Sequence, residues 1–452
     1  MKRKLLKLAF VGFCFASFSV TGQDTATLNL DLSTALKIAH DNNPTIKIAQ
    51  MEIKRVDYSR KEAIGGLLPS LNAVGQYTDN VMKQVMFMPE SFSALMGGQK
   101  YMEMGYKNSY AASLSAQLPL VNFTLWQTIK NKQNDIDLVI EKARSSSIEM
   151  TKQVKDAYFT LLLAQSSLKV IEQSYFNALE TLKNIENSYK QGVVSEYDYI
   201  RAQVNVNNIN PTLINARNGV ELAFMQLRMV LSLSADQKIE ITENLESFDH
   251  SLTNLDKIDE DASLEQNSDL RVLDYNIIGL KNQLKLINTQ HLPMLSISGS
   301  YIYQTQAEDF HFKDYNWVGS ASLGLQLTIP LFSGMTKVNQ AKQVEMSIKG
   351  LEMQREYAKE GLALQIRSAI NSMKAAKEQL DANKDAIKQA ERGYEIAKVR
   401  YQVGSGTILE LNDSELSLTQ SALNYQQSLY NYLSAQATLE EVMGLNEKNK
   451  AE

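Results

Sequence analysis

Cysteine is nearly missing from this chain: among 452 residues there is one, Cys14. It falls in a stretch that reads as a leader. Met1-Lys2-Arg3-Lys4 with Lys7 forms a positive start, Leu8 to Val20 an apolar run, and Val20-Thr21-Gly22 a cleavable end. That is the layout of a secretory signal peptide, and the run is too short to span a bilayer. Phe13 stands before Cys14, where a lipoprotein signal needs a small residue. Residues 1–22 are therefore expected to be removed without lipidation. The mature chain then has no disulfide, thiol nucleophile or thiolate metal site. Loss of Lys2, Arg3, Lys4 and Lys7 also takes the formal net charge from −5 to about −9, which argues against nucleic acid as a partner. Histidine is scarce too. His40, His250, His291 and His311 show no ligand spacing, so no metal site is expected. No phosphate-binding loop occurs, no cofactor is implied, and no other segment has eighteen uncharged apolar residues. An enzyme would lack its nucleophile, metal or phosphate constellation.

What the chain does have is one pattern written twice. Two helical stretches, Phe123 to Lys190 and Thr336 to Gln402, carry the same heptad in the same register. Val154, Leu161, Leu168, Tyr175, Leu182 and Tyr189 recur every seven residues, and Ile366, Met373, Leu380, Ile387, Tyr394 and Tyr401 lie 212 positions later. The other seam position is mostly small, as at Ala157, Ala164, Ala178, Ala369, Ala376, Ala390 and Ala397. Alternation of large residues with alanine lets helices approach closely in coiled-coil packing. At 1.5 Å per residue each stretch is a rod of about 100 Å. Each ends in a turn, Tyr189 to Ser195 and Tyr401 to Thr407. Gly192 and Gly404 stand where a helix C-terminus takes a left-handed residue. Ser195 with Asp198, and Thr407 with Glu410, read as the caps of returning helices that run to about Leu231 and Met443. Pro211 falls inside the first of these and is expected to kink it.

Ahead of each rod the periodicity changes from helical to alternating. Tyr110, Ala112, Leu114, Ala116, Leu118 and Leu120 face one way, Ser113, Ser115 and Gln117 the other. Trp317, Gly319, Ala321, Leu323, Leu325, Leu327 and Ile329 likewise oppose Ser320, Ser322, Gln326 and Thr328. Leu71 to Thr78 and Leu295 to Tyr303 are the upstream partners. Each half thus reads helix, strand, loop, strand, rod, turn, helix, with repeat 1 at about 30–232 and repeat 2 at about 262–445. The acidic join at about 233–261 is expected to be irregular surface structure. Strands of about ten residues with one apolar and one polar face suit a membrane barrel wall. Four cannot close one, since their edges would stay unsatisfied in lipid, so several chains must contribute. The outer helices, about Leu32 to Gly66 and Ala262 to His291, stacked on the returning helices would match one rod in length. The picture is a helical cylinder hung below a β-barrel.

Leu32-Ser33-Thr34-Ala35-Leu36-Lys37-Ile38-Ala39-His40-Asp41-Asn42-Asn43-Pro44, Leu67-Leu68-Pro69-Ser70-Leu71, Leu118-Pro119-Leu120, Ile329-Pro330-Leu331-Phe332 and the tip Tyr401 to Asp413 together resemble TolC-type outer-membrane efflux proteins. The resemblance covers essentially the whole mature chain. It implies a mainly α fold with membrane β: a homotrimer whose twelve-stranded barrel, four strands per chain, continues into a coiled-coil α-helical barrel. It implies residence in the outer membrane of a Gram-negative cell, a passive channel, and docking of the tips onto a periplasmic adaptor and an inner-membrane pump. Gly192, Val193, Gly404 and Gly406 would then form the docking tips. The family's gate carries over to Glu410, Asp413, Asp198 and Tyr401, acidic side chains at a constriction and a tyrosine that holds it closed. Gly406 departs from the family's best-known member, which has an arginine there linked to its neighbours. The competing reading of Asp198 and Glu410 is helix capping in a first turn. The competing reading of the whole is a coiled-coil stalk that conducts nothing. Met82, Met86, Met88, Met96, Met102 and Met104, set among Phe87, Phe92, Leu95 and Tyr101, read as an apolar loop near the barrel mouth rather than as a soft-metal site.

Overall fold

The computed structural model describes residues 27–91, 97, 100–250 and 264–445. The leader with Cys14, the loop positions Phe92, Leu95 and Met96, and residues 251–263 of the join lie outside them. Strand β1 (Leu28–Leu30) leads to α1 (Leu32–Asn42), α2 (Pro44–Gly65), β2 (Ser70–Asp79), β3 (Gln84–Phe87), β4 (Tyr101–Met104) and β5 (Asn108–Val121). The first rod is α3 (Phe123–Lys190) and its return α4 (Glu196–Val230). The join contributes β6 (Ile239–Ile241) and a 3₁₀ turn at Leu245–His250. The second half repeats with α5 (Ser268–Thr289), β7 (Met294–Ala307), β8 (Val318–Thr328), the rod α6 (Thr336–Gln402) and the return α7 (Ile408–Val442). At 68 and 67 residues the rods span about 100 Å each.

β2, β5, β7 and β8 form one antiparallel sheet in that order. Directly paired residues share a face, so the register sorts the sheet into two surfaces. Leu71, Ala116, Gly299 and Leu323 make one row, and Ala73, Leu114, Tyr301 and Ala321 the next but one. Asn72, Ser115, Ser300 and Ser322 lie in the row between, on the opposite face. On that polar face the Ser300 and Ser322 hydroxyls are 2.8 Å apart. The apolar face is exposed, Leu71 at 68% and Leu323 at 79%. Aromatic rings gather at its far end. Tyr77 stacks on Tyr110 and Tyr303 on Trp317, both at 5.0 Å, while Phe312 and Tyr315 fold back onto Tyr110. At the helical end Phe123 meets Trp126 at 5.2 Å. Apolar rows between two aromatic bands are how a strand wall meets a bilayer and its two interfaces. The outer edges of β2 and β8 have no strand partner among the described residues.

The largest core lies midway along the rods. Val154, Tyr158, Leu161 and Leu162 of α3 pack with Leu227 of α4, Met373 and Leu380 of α6, and Leu429 and Tyr432 of α7. The join is more than surface here. β6 pairs in parallel with β1, and Leu245 is fully buried. The Tyr158 hydroxyl donates to Glu243 at 2.6 Å, and the Leu32 amide to the same carboxylate at 2.9 Å. One carboxylate thus ties the join to both the rod and the start of α1.

The first outer helix, read from the sequence as one piece from Leu32 to Gly66, is two. Asn43 is extended and Pro44 opens α2, because a proline disfavours helical backbone in the residue before it. The end-to-end stacking expected of the outer and returning helices has an atomic joint. Asn43 caps α2 by accepting from the Thr45 amide at 2.8 Å, and its own amide donates to the Val230 carbonyl, the last of α4, at 3.2 Å. In the second half Asn267 accepts from the Asp269 amide at 2.8 Å and donates to the Val442 carbonyl of α7 at 2.9 Å.

Candidate functional site at the helix tips

Both rods end in the same way. Gly192 has φ +75° and Gly404 φ +76°. The Val193 amide reaches back to the Ser188 carbonyl and the Ser405 amide to the Arg400 carbonyl, each at 2.9 Å. The glycine amides bond Tyr189 and Tyr401 one step inside. These are Schellman closures, and the left-handed residue in each is the glycine that the sequence placed there. Ser195 then accepts from the Asp198 amide at 3.2 Å, and its hydroxyl donates to the Asp198 carboxylate at 2.7 Å. Thr407 and Glu410 form a complete capping box. The capping reading of Asp198 and Glu410 therefore holds as local structure.

The tips pack against each other. Ile185 of α3, Ala202 of α4, and Ile408 and Leu411 of α7 form a small buried cluster, with Tyr199, Tyr394 and Tyr401 partly buried around it. Beside it a groove of about 680 Å³ is lined by Val193, Asp198, Tyr394, Lys398, Tyr401, Gly404 and Gly406 among others. The structure thus brings Asp198 and Tyr401, 203 positions apart in sequence, to one groove. Burial first, and then the Asp198 charge, holds the Tyr401 hydroxyl above its ordinary pKa. Glu410 and Asp413 sit elsewhere. Both are exposed, on α7 three residues apart and so on one face. Val193 is 73% exposed at the extreme end of the first tip.

Three features of the tips escaped sequence reading. Arg400 reaches across its own turn, 3.6 Å from Glu410 and 3.3 Å from the Ser405 carbonyl. Tyr189 and Tyr199 stack at 5.3 Å and close the first tip. Glu415, two residues past Asp413, is buried. The structure also gives a reason for the departure at Gly406. A β-carbon there would lie 3.1 Å from the Tyr401 amide nitrogen and 3.1 Å from the Arg400 β-carbon. A larger residue could enter only if the tip shifted.

The chain has relatives in both sequence and fold. The sequence matches the outer membrane efflux protein family over residues 35–232 and 261–445. The chain belongs to that family. It is 22% identical to the outer membrane protein TolC of Escherichia coli (strain K12) over 464 aligned positions, covering 99% of this chain and 88% of TolC. It is 21% identical to the alkaline protease secretion protein AprF of Pseudomonas aeruginosa, over 75% of this chain and 70% of AprF. In three dimensions it resembles the CmeC outer membrane channel of Campylobacter jejuni, with a TM-score of 0.71 at 17% identity over 91% of this chain and 85% of CmeC. This efflux protein is accordingly an outer-membrane channel protein of a Gram-negative cell, with its helical part extending into the periplasm. Among the described residues no helix is long and apolar enough to cross a membrane.

Proposed function

We propose that three copies of this chain close a twelve-stranded barrel and a helical tunnel, forming a passive channel through which cargo leaves the periplasm. The observation that carries this reading is that the chain is unfinished along two flanks. On one flank β2 has an open edge, and the neighbouring helices expose Ile48, Met51 and Tyr58 of α2 and Leu222, Met225 and Met229 of α4. On the other, β8 has an open edge and α6 exposes Met346, Met353, Tyr357 and Leu364. Those α6 positions repeat at seven, four and seven residues, a coiled-coil seam without its partner. Two different flanks that complete each other make a head-to-tail contact, which closes as a ring.

The polar sheet face, with Ser115, Ser300 and Ser322, lines the lumen in this reading, and the apolar face meets lipid. The tips dock on a periplasmic adaptor beneath which an inner-membrane pump supplies the energy. Gly192, Val193, Gly404 and Gly406 form the contact there. Glu410 and Asp413, repeated three times, place six carboxylates around the narrow end, and Tyr401 beside Asp198 holds the tips closed.

Purified protein in planar bilayers tests this. Discrete cation-selective steps are expected, blocked by multivalent cations added on the tip side. Membranes that carry the protein yet pass no current would make it a stalk.

A further inference from the structure

Two carboxylates in the helical part are nearly inaccessible, and they differ in company. Glu141, 4% exposed, is bracketed by Arg144 at 2.8 Å and Arg271 at 3.4 Å. Glu415, also 4% exposed, has one oxygen with no hydrogen-bond partner. Two other helices surround it. From α3 comes the Asn177 amide, which bonds it, with Glu180 acting on the neighbouring Tyr394. From α6 come Tyr394 and Lys398, with Glu391 on the cavity wall beside it. A cavity of about 510 Å³ that runs up the same seam past Lys169 and Gln426 adjoins it, and the tip groove lies next to that cavity. Asn177 lines both. α3 belongs to the first half of the chain and α7 to the second, so this buried acid stands on the seam where the two halves meet near the tips.

We propose that Glu415 is a proton-operated latch on the seam between the two halves: neutral, it keeps α7 seated on α3 beside Asn177, and ionised, it draws water from the adjoining cavity and the seam loosens. A charged carboxylate with an unpaired oxygen is costly where water is excluded. Opening to that cavity removes the cost. Burial pushes the Glu415 carboxyl up to about 7, against the opposing pull of the Asn177 hydrogen bond and the Lys398 charge. The sign follows. The seated form is favoured by protonation, so its advantage is complete below the ordinary value of 4.5 and is lost as pH rises through about 7. Between pH 5.5 and pH 8 the ratio of loosened to seated seam should rise on the order of 30-fold per chain. Tyr394, itself pushed up to about 12 by burial and by Glu415 and Glu180, stays neutral throughout.

The latch rests on reading the tips as a gate, and the test separates the two. Lys183→Cys on α3 and Leu416→Cys on α7, both exposed positions, are spin-labelled in the full chain, and the distance between them is measured at pH 5.5 and pH 8. Bilayer conductance is recorded at the same two values. The parent should show a longer label distance and a higher open fraction at pH 8. Glu415→Gln, neutral at every pH and nearly the same shape, should keep the short distance and a low open fraction at both. A label distance that responds as stated without any current would uphold the latch and sink the channel reading. A parent distance that ignores pH, or a Gln variant that titrates like the parent, overturns the latch, since Asp198, Glu410 and Asp413 remain in both.

Discussion

Of the two exposed carboxylates at the second tip, Glu410 is the one tied into the turn. Glu410 completes the capping box with Thr407 and faces Arg400, whereas the exposed Asp413 lies past the capping positions on the same face. Glu410→Ala should therefore cost about 1 kcal/mol of stability, while Asp413→Ala stays within about 0.5 kcal/mol. Both should weaken block by multivalent cations. Thermal unfolding beside bilayer recordings measures the two effects separately, and a block unchanged in the double variant would leave these side chains as helix caps. Gly404 makes a sharper case, because its backbone is left-handed at φ +76°. Gly404→Ala should lower stability by about 1 kcal/mol, detectable as faster amide exchange over Val403 to Thr407. A matched loss is expected at Gly192, and a neutral outcome would mean the turn has relaxed into another closure.

Among the elements, the two asparagine joints tie an outer helix to a returning one in each half. Asn267→Ala removes both a helix cap and a bond to the end of α7, and should cost about 1–2 kcal/mol. Asn267→Asp keeps the acceptor for the Asp269 amide but has no amide to give the Val442 carbonyl. It should retain an intact start to α5 while exchange quickens at the end of α7. Equal protection at both ends in the Asp variant would show that the joint is packing alone. The sequence made the helices legible and these joints invisible. Heptads extend over seventy residues, so the rods came out from Phe123 to Lys190 and from Thr336 to Gln402, and the strands within a few residues of β2, β5, β7 and β8. Asn43 and Asn267 act on carbonyls nearly two hundred residues away, a distance over which no periodicity speaks. The β3–β4 hairpin was missed because methionine marks no strand. The join was underestimated because Leu245 and Glu243 look like loop until Tyr158 is seen beside them. At the tips the glycines and caps were legible as local chemistry. The burial of Glu415 depends on how separate helices meet, and the Arg400 contact on the path of its turn.

Taken as a whole molecule, the chain should come out of detergent as a trimer, and native mass spectrometry reads this directly. A monomer recovered from the outer membrane would mean that the sheet closes in some way its open β2 and β8 edges do not provide. The same intact masses check the leader. Cleavage near Gly22 without a lipid adduct is expected, and a diacylglycerol on Cys14 would overturn that. The open edges carry a further consequence, for the life of the chain before it is a channel. In the proposed barrel a lone subunit would hold two rows of backbone amide and carbonyl groups that lipid cannot satisfy, and so would not enter the bilayer first and find its companions afterwards. Assembly would then precede insertion or coincide with it. The supply of finished channels should then rise more steeply than in proportion to the rate of synthesis. A chain crippled at one edge alone would spoil every ring it joins, making such a mutation dominant over the healthy copies around it.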